Sequence, residues 1–385
     1  MRLLLRLIAA GIALPAAGAC SGSDRTFDRG EPEIRYDAFQ PQAGGPATSL
    51  QAPACADSVV GTAEIKEAAA IAPEGLRPRP RPQDAGWIPT RLADLAVGRA
   101  GYAVVDQGGV ALTLFAPDFA SRMHRERPGD GPGEFRSPAA VAVHPGADTT
   151  WVLDDRRRVV IAFDMTGAPV REIAVGPSGV DLAVGPDGVI YVAHRVPSAR
   201  MLPRDADSVV VVSRYAPDGS RLPPLLILHR NALAPPRFVL PSVTEVGVTV
   251  SGERVAVFYP AGGVVDLFRN GRHEGAGLVC MTAELADVYA RQRERPGQSQ
   301  QWVALITDVR LEPDGGFSTV SSRTDRQGRF LIHRFAAGGG PAGAVAIANP
   351  GIRMPSEVRF GSRPDQLVAF SPASGIIASF TLRLR

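Results

Sequence analysis

Between Arg127 and Gly188 the chain carries a pattern that finishes and then starts again. A Gly/Pro-rich loop, GDGPGEF at Gly129–Phe135, leads through Ser137-Pro138 into four short apolar runs separated by turns: Ala139–Val143, Thr150–Leu153, Val159–Phe163 and Val170–Val175. Val180–Val184 then opens the same succession. Four such strands form a small sheet whose apolar faces a single copy cannot cover, so the unit has to stack against further copies of itself.

The rest of the chain tiles in the same way. A first unit has Leu92–Val97, Tyr102–Asp106 and Ala111–Phe115, and a third has Val180–Val184, Val189–Val192 and Val209–Tyr215. A fourth has Val243–Val250, Arg254–Tyr259 and Val264–Phe268, a fifth Thr307–Leu311, Phe317–Ser321 and Phe330–Phe335, and a sixth Glu357–Phe360, Gln366–Phe370 and Ile376–Leu382. Pro186-Asp187-Gly188 and Pro313-Asp314-Gly315 mark matching hairpin turns, since Pro presets φ at the first turn position and Gly accepts the positive φ that follows. Six units from about Trp87 give roughly 50 residues each, at the long end for a four-stranded blade. The expected fold is therefore all-β, a six-bladed β-propeller. The sixth unit shows three runs before Arg385, and an open blade leaves an unpaired edge. Asp57–Ile65 (DSVVGTAEI) is the expected closing strand. Met281–Arg295 spaces Leu285, Val288 and Tyr289 helically behind the cap Thr282, which predicts one inserted helix between the fourth and fifth blades.

The first residues set an address. Arg2 and Arg6 form a basic start, Leu3 to Leu14 an apolar run too short to span a bilayer comfortably, and Ala16 to Ala19 a small-residue patch ending at Cys20. A patch of this kind directly before a Cys resembles the lipobox of bacterial lipoproteins, with Ala17 where Leu is usual. The resemblance implies acylation of Cys20; an ordinary cleaved secretory peptide is the alternative. The organisation that follows is a signal peptide over 1–20, a flexible polar tether over 21–55 and the propeller over 56–385. The protein is expected to be exported and held at the membrane by the lipid alone, facing the periplasm or the extracellular space.

Composition removes some function classes. Lys66 is the single lysine among 42 basic residues, the arginines are scattered, and the net charge of +3 falls to +1 without Arg2 and Arg6, so nothing points to nucleic acid. With Cys20 acylated, Cys55 and Cys280 remain as an even pair in an oxidising compartment, either bonded to one another or as two separate thiols.

Gly129–Phe135, Ser137-Pro138, and Val152-Leu153-Asp154 leading to Arg158–Phe163 together resemble the NHL repeat, and the chain is most similar to bacterial six-bladed propeller lipoproteins of NHL-like type. The resemblance is specific in the second blade, fair in the third and weak elsewhere. It implies that Asp154 ties its blade by hydrogen bonds, with Gly131, Gly133 and Phe135 as blade-stabilising residues. In the third blade His194 stands at the position of Asp154.

No catalytic motif stands out. There is no G-x-S-x-G elbow, Walker loop or S-x-x-K, and the six histidines lack paired ligand spacing. Asp154-Asp155 and Asp205/Asp207 are the acid pairs that could offer calcium the clustered oxygens it wants; hydrogen bonding or pairing with Arg156–Arg158 is the reading for the first, and solvation for the second. No cofactor and no metal ligand is assigned. The reading is a monomeric binding or scaffolding module for an envelope protein or small ligand, with partner contacts in Arg195–Ser208, His229–Pro241 and Met281–Trp302. The alternative, implied by the family resemblance, is a metal-dependent lactonase, hydrolase or lyase acting in the central channel.

Overall fold

The computed structural model describes residues 59–71, 91–197, 201–230, 233, 243–278, 304–321, 330–337, 341–347, 357–370 and 377–384. A long first strand, β1 (Val59–Ile71), precedes the ring of blades. Blade 1 is β2 (Leu92–Gly98), β3 (Gly101–Asp106), β4 (Ala111–Phe115) and β5 (Ser121–Glu126); blade 2 is β6 (Pro138–Val143), β7 (Thr150–Asp154), β8 (Val159–Phe163) and β9 (Pro169–Ala174). Blade 3 is β10 (Gly179–Val184), β11 (Ile190–His194), β13 (Ser208–Tyr215) and β14 (Arg221–His229), with a short β12 (Val196–Pro197) in its middle connection. After the short β15 (Val243–Thr244), blade 4 is β16 (Gly247–Ser251), β17 (Arg254–Tyr259), β18 (Val264–Arg269) and β19 (Arg272–Leu278). Blade 5 is β20 (Ile306–Leu311), β21 (Phe317–Ser321), β22 (Phe330–Phe335) and β23 (Pro341–Ile347); blade 6 is β24 (Glu357–Phe360), β25 (Gln366–Phe370) and β26 (Ile377–Leu384). The fold is a six-bladed β-propeller.

β1 supplies the missing fourth strand of blade 6. It pairs antiparallel with β26 from Ala63↔Leu384 to Ile71↔Ile377, while Val59–Ala63 also pair in parallel with β23. The strand runs six residues beyond the expected Ile65, with a register shift between Ile65 and Glu67. Two further expectations are corrected. Val243–Val250 is not one strand: Val243–Thr244 pairs with Val196–Pro197, and the blade strand begins at Gly247. The outer strands β5, β14, β19 and β23 have no counterpart in the sequence reading. The helix expected over Met281–Arg295 lies outside the described residues, as do Cys20, Cys55 and Cys280; among the described residues there is no helix.

The core lies between blades. Strands β3, β4, β7 and β8 are buried at every position, because both faces of a middle strand meet a neighbouring sheet. Val105, Leu112 and Phe135 pack with Val152, Ile161 and Phe163 between blades 1 and 2, and Ala256, Val265 and Leu267 with Ile306, Phe317 and Phe335 between blades 4 and 5. Each fully buried side chain of this size contributes about 1.5–3 kcal/mol. The ring shuts where Leu92, Tyr102 and Phe115 of blade 1 meet Val368 and Ile377 of blade 6, with Gln366 Nε2 donating to Tyr102 Oη at 3.0 Å.

Candidate functional site

The first strand of each blade lines the axis. At the third residue of three of them stands an aspartate: Asp94 in β2, Asp181 in β10 and Asp308 in β20. Each follows a register shift, Leu92/Asp94, Gly179/Asp181 and Ile306/Asp308, so a β-bulge aims the carboxylate along the strand rather than out of it. One oxygen then accepts the N–H of the next residue, Leu95 at 2.8 Å, Leu182 at 2.9 Å and Val309 at 2.8 Å. The other accepts an N–H from the following blade, Val141, Val248 and Phe360, each at 2.8 Å. The acids therefore stitch blade 1 to 2, 3 to 4 and 5 to 6.

The residues preceding those three donors are Ala140, Gly247 and Arg359, which occupy the matching place in the even blades. Arg359 Nη2 lies 2.8 Å from Asp94 Oδ1. The axis thus holds three carboxylates and one guanidinium in a single layer. Burial raises the pKa of all three acids and Arg359 opposes the rise. Asp94 is 3% exposed and directly paired, while Asp181 and Asp308 are half-buried. Asp181, poorly hydrated and with the Asp94 charge adding to the burial effect, is pushed up to about 7. A carboxyl in that range exchanges a proton near neutrality. Among the described residues no three His, Cys, Asp or Glu side chains are placed to hold a metal ion.

Strand direction fixes which end of the axis carries this layer. The acids sit in the first half of the inner strands, near the end where the chain enters each blade. The long connections 195–207, 230–246 and 279–305 all join strands at that same end, on the adjacent blades 3, 4 and 5. At the opposite end no turn between blade strands exceeds six residues. Of the three expected partner-contact segments, Met281–Trp302 lies outside the described residues, as does most of His229–Pro241. In the first, β12 pairs with β15, Val196 is fully buried, and the Arg230 guanidinium donates to the carbonyls of Pro203 and Ala206.

The residues singled out by the family resemblance lie elsewhere, on the loop between blades 1 and 2. Asp154 is buried and accepts three backbone N–H groups, Arg136 at 2.6 Å, Ser137 at 3.1 Å and Arg157 at 2.9 Å. Gly131 N donates to Glu134 Oε2 at 2.8 Å, Gly133 takes a φ of +69°, and Phe135 is fully buried against Phe163 with ring centroids 5.6 Å apart. Arg157, expected to pair with Asp154-Asp155, meets Asp154 through its backbone N–H, while its guanidinium clamps the loop by donating to the Glu134 and Asp130 carbonyls and to Glu172. Asp106 plays in blade 1 the part of Asp154, accepting from Arg91, Gly108 and Gly109. At the same position of blade 3, His194 Nδ1 meets the Pro177 carbonyl at 3.1 Å and Nε2 the Ser213 hydroxyl at 2.8 Å. Donation to the carbonyl leaves Nε2 to accept from Ser213, the geometry of a Ser–His dyad. His194 is 6% and Ser213 3% exposed, so the pair is closed to substrate and serves as a tie; burial lowers the His194 pKa and keeps the ring neutral.

No protein-family model and no curated protein matches the chain. Solved structures similar to it include hydrazine synthase of Kuenenia stuttgartiensis, 13% identical with a TM-score of 0.41, covering 73% of both chains. U3-55K is 12% identical with a TM-score of 0.46, covering 76% of this chain and 95% of that one. KlHsv2 with loop 6CD replaced by a Gly-Ser linker is 11% identical with a TM-score of 0.42, covering 77% and 97%.

Proposed function

We propose that the protein is an exported, lipid-anchored propeller that binds an envelope partner at the end of the axis where the long connections gather. The observation that carries this reading is the coincidence of two features at one end: the polar Asp94, Asp181, Asp308 and Arg359 layer, and the three long connections of blades 3 to 5. Propellers keep a rigid ring and vary its loops, so added length confined to one end marks the working face. The anchor follows from the Cys20 motif, and the tether over 21–55 gives the ring reach from the membrane.

Two measurements test it. The intact mass of protein extracted from membranes is expected to show an acylated Cys20, and Cys20→Ser to release the protein into the soluble fraction; an unmodified N-terminus refutes the anchor. Replacing 201–207 by Gly-Ser is expected to abolish capture of an envelope partner, while replacing 145–148 on the opposite end leaves it intact. Equal effects from both replacements refute the face. A stoichiometric, chelator-sensitive divalent ion in the purified protein would replace this reading by the metal-dependent hydrolase one.

A further inference from the structure

The end of the propeller away from the long connections carries its own cleft, and its cause is a mismatch of turn lengths. The first hairpin of blade 1 has only Arg99-Ala100 between Gly98 and Gly101, whereas the matching hairpin of blade 2 spans His144 to Thr149. At the base of these hairpins β2 and β6 approach so closely that a Cβ on Gly98 would lie 2.6 Å from Val143 Cγ1. Beyond it the short turn stops and the long one continues, leaving a space of about 260 Å³ between the blades.

The walls of this space differ in character from its rim. Ala103, Leu114 and Val143 form an apolar floor. Met165 overhangs it from blade 2 and is 41% exposed, one of only three large apolar side chains so exposed among the described residues. Arg99 and Arg122 stand at the rim on blade 1, both exposed, and neither makes an ion pair or hydrogen bond with a described residue. This contrasts with Arg125, Arg157, Arg254 and Arg310, which are all engaged by carbonyls or carboxylates. Asp148 is the one acid of the rim, set against the two arginines. His144 Nδ1 accepts the Gly146 N–H at 2.9 Å, so the ring shapes the long turn.

An apolar floor with unengaged guanidinium groups at its edge matches a ligand with an apolar body and an anionic head. A flexible methionine suits a chain of variable shape. We propose that the cleft between blades 1 and 2 binds a small amphiphilic carboxylate or sulfonate, its apolar part over Ala103, Leu114 and Val143 and its head at Arg99 and Arg122. This site is on the opposite end from the proposed partner face and does not depend on that reading.

Calorimetry with the mature chain tests the proposal, using octanoate, octan-1-ol and octyltrimethylammonium as probes. Octanoate is expected to bind with one-to-one stoichiometry and at least tenfold more tightly than either of the others. Arg99→Glu combined with Arg122→Glu is expected to weaken octanoate at least tenfold without moving the thermal midpoint, since both side chains are exposed. Ala147→Trp, placed on the exposed long turn, is expected to block all three probes. Unsaturable octanoate binding, equal affinity for octanoate and the cation, or an unchanged affinity in the charge-reversed variant would each overturn it.

Discussion

Asp181→Asn separates the charge of an axial acid from its hydrogen bonds. In the wild type Oδ1 accepts from Leu182 and Oδ2 from Val248. Asparagine keeps one acceptor oxygen and the shape of the side chain, and so stands in for the protonated acid. The native carboxyl holds its proton up to about 7, against an ordinary aspartate value of 3.8 in the unfolded chain. Between those values the native state binds more protons, and its stability must fall as pH rises. The stability contributed by the raised pKa is complete below the unfolded value and is lost as pH passes through the folded one.

For a single site with these two values the loss from pH 5 to pH 8 is about 3 kcal/mol, and because Asp181 is only half-buried the expected figure is about 1–2 kcal/mol. Urea unfolding followed by circular dichroism at pH 5, 6, 7 and 8, at constant ionic strength, measures it. Wild type is expected to lose that amount relative to Asp181→Asn, whose amide nitrogen cannot accept the second N–H and therefore adds a cost that does not vary with pH. Parallel curves for the two proteins would show that the axis does not desolvate Asp181. A wild type that gains stability relative to the variant with rising pH would reverse the sign and sink the account.

Asp154→Ala strands the N–H groups of Arg136, Ser137 and Arg157 and is expected to cost about 3 kcal/mol, with Asp154→Asn recovering part of it, both read from denaturant midpoints. Deleting the chain through Ile71 removes β1 and leaves the edges of β26 and β23 unpaired. Size-exclusion chromatography is expected to show oligomers or aggregate instead of a monomer, and a stable monomeric ring would refute the role of β1 in closure.

What the sequence disclosed of this fold follows the depth of each strand within its blade. Middle strands such as TWVLD and VVIAF are covered on both faces, and their apolar runs are readable as they stand. The outer strand of blade 1 is exposed: Ser121–Glu126 holds only exposed and half-buried residues and reads SRMHRE, which local pattern cannot distinguish from a polar loop. Pro169–Ala174 shows the same exposure, and was legible only because Val170, Ile173 and Val175 happened to be apolar. The closing strand was legible for another reason, since a ring one strand short in its last blade must draw it from the other end of the chain. Its extension past Lys66 was not, because the charged Lys66 and Glu67 interrupt the apolar run of the sequence.

The axial layer was illegible for a physical reason of its own. Asp94, Asp181 and Asp308 lie in the strings LADL, GVDLA and ITDVR, where a single acid within an apolar run reads as an interruption of the strand. Only ring closure shows that the three occupy one level, that each accepts an N–H from the next blade, and that the intervening blades place Ala140, Gly247 and Arg359 there instead. Three junctions are thereby tied by a carboxylate accepting a backbone N–H, and a fourth, between blades 6 and 1, by the Asp94–Arg359 pair. The others rely on different contacts, such as Arg254 donating to the Glu312 and Gly316 carbonyls between blades 4 and 5. A layer of three poorly hydrated acids repels itself, and one arginine cannot neutralise them equally. Arg359 rests on Asp94, at the seam where blade 6 meets blade 1, and reaches Asp181 only through space. For Asp181, burial and the neighbouring Asp94 charge outweigh that distant guanidinium, and its carboxyl is pushed up to about 7.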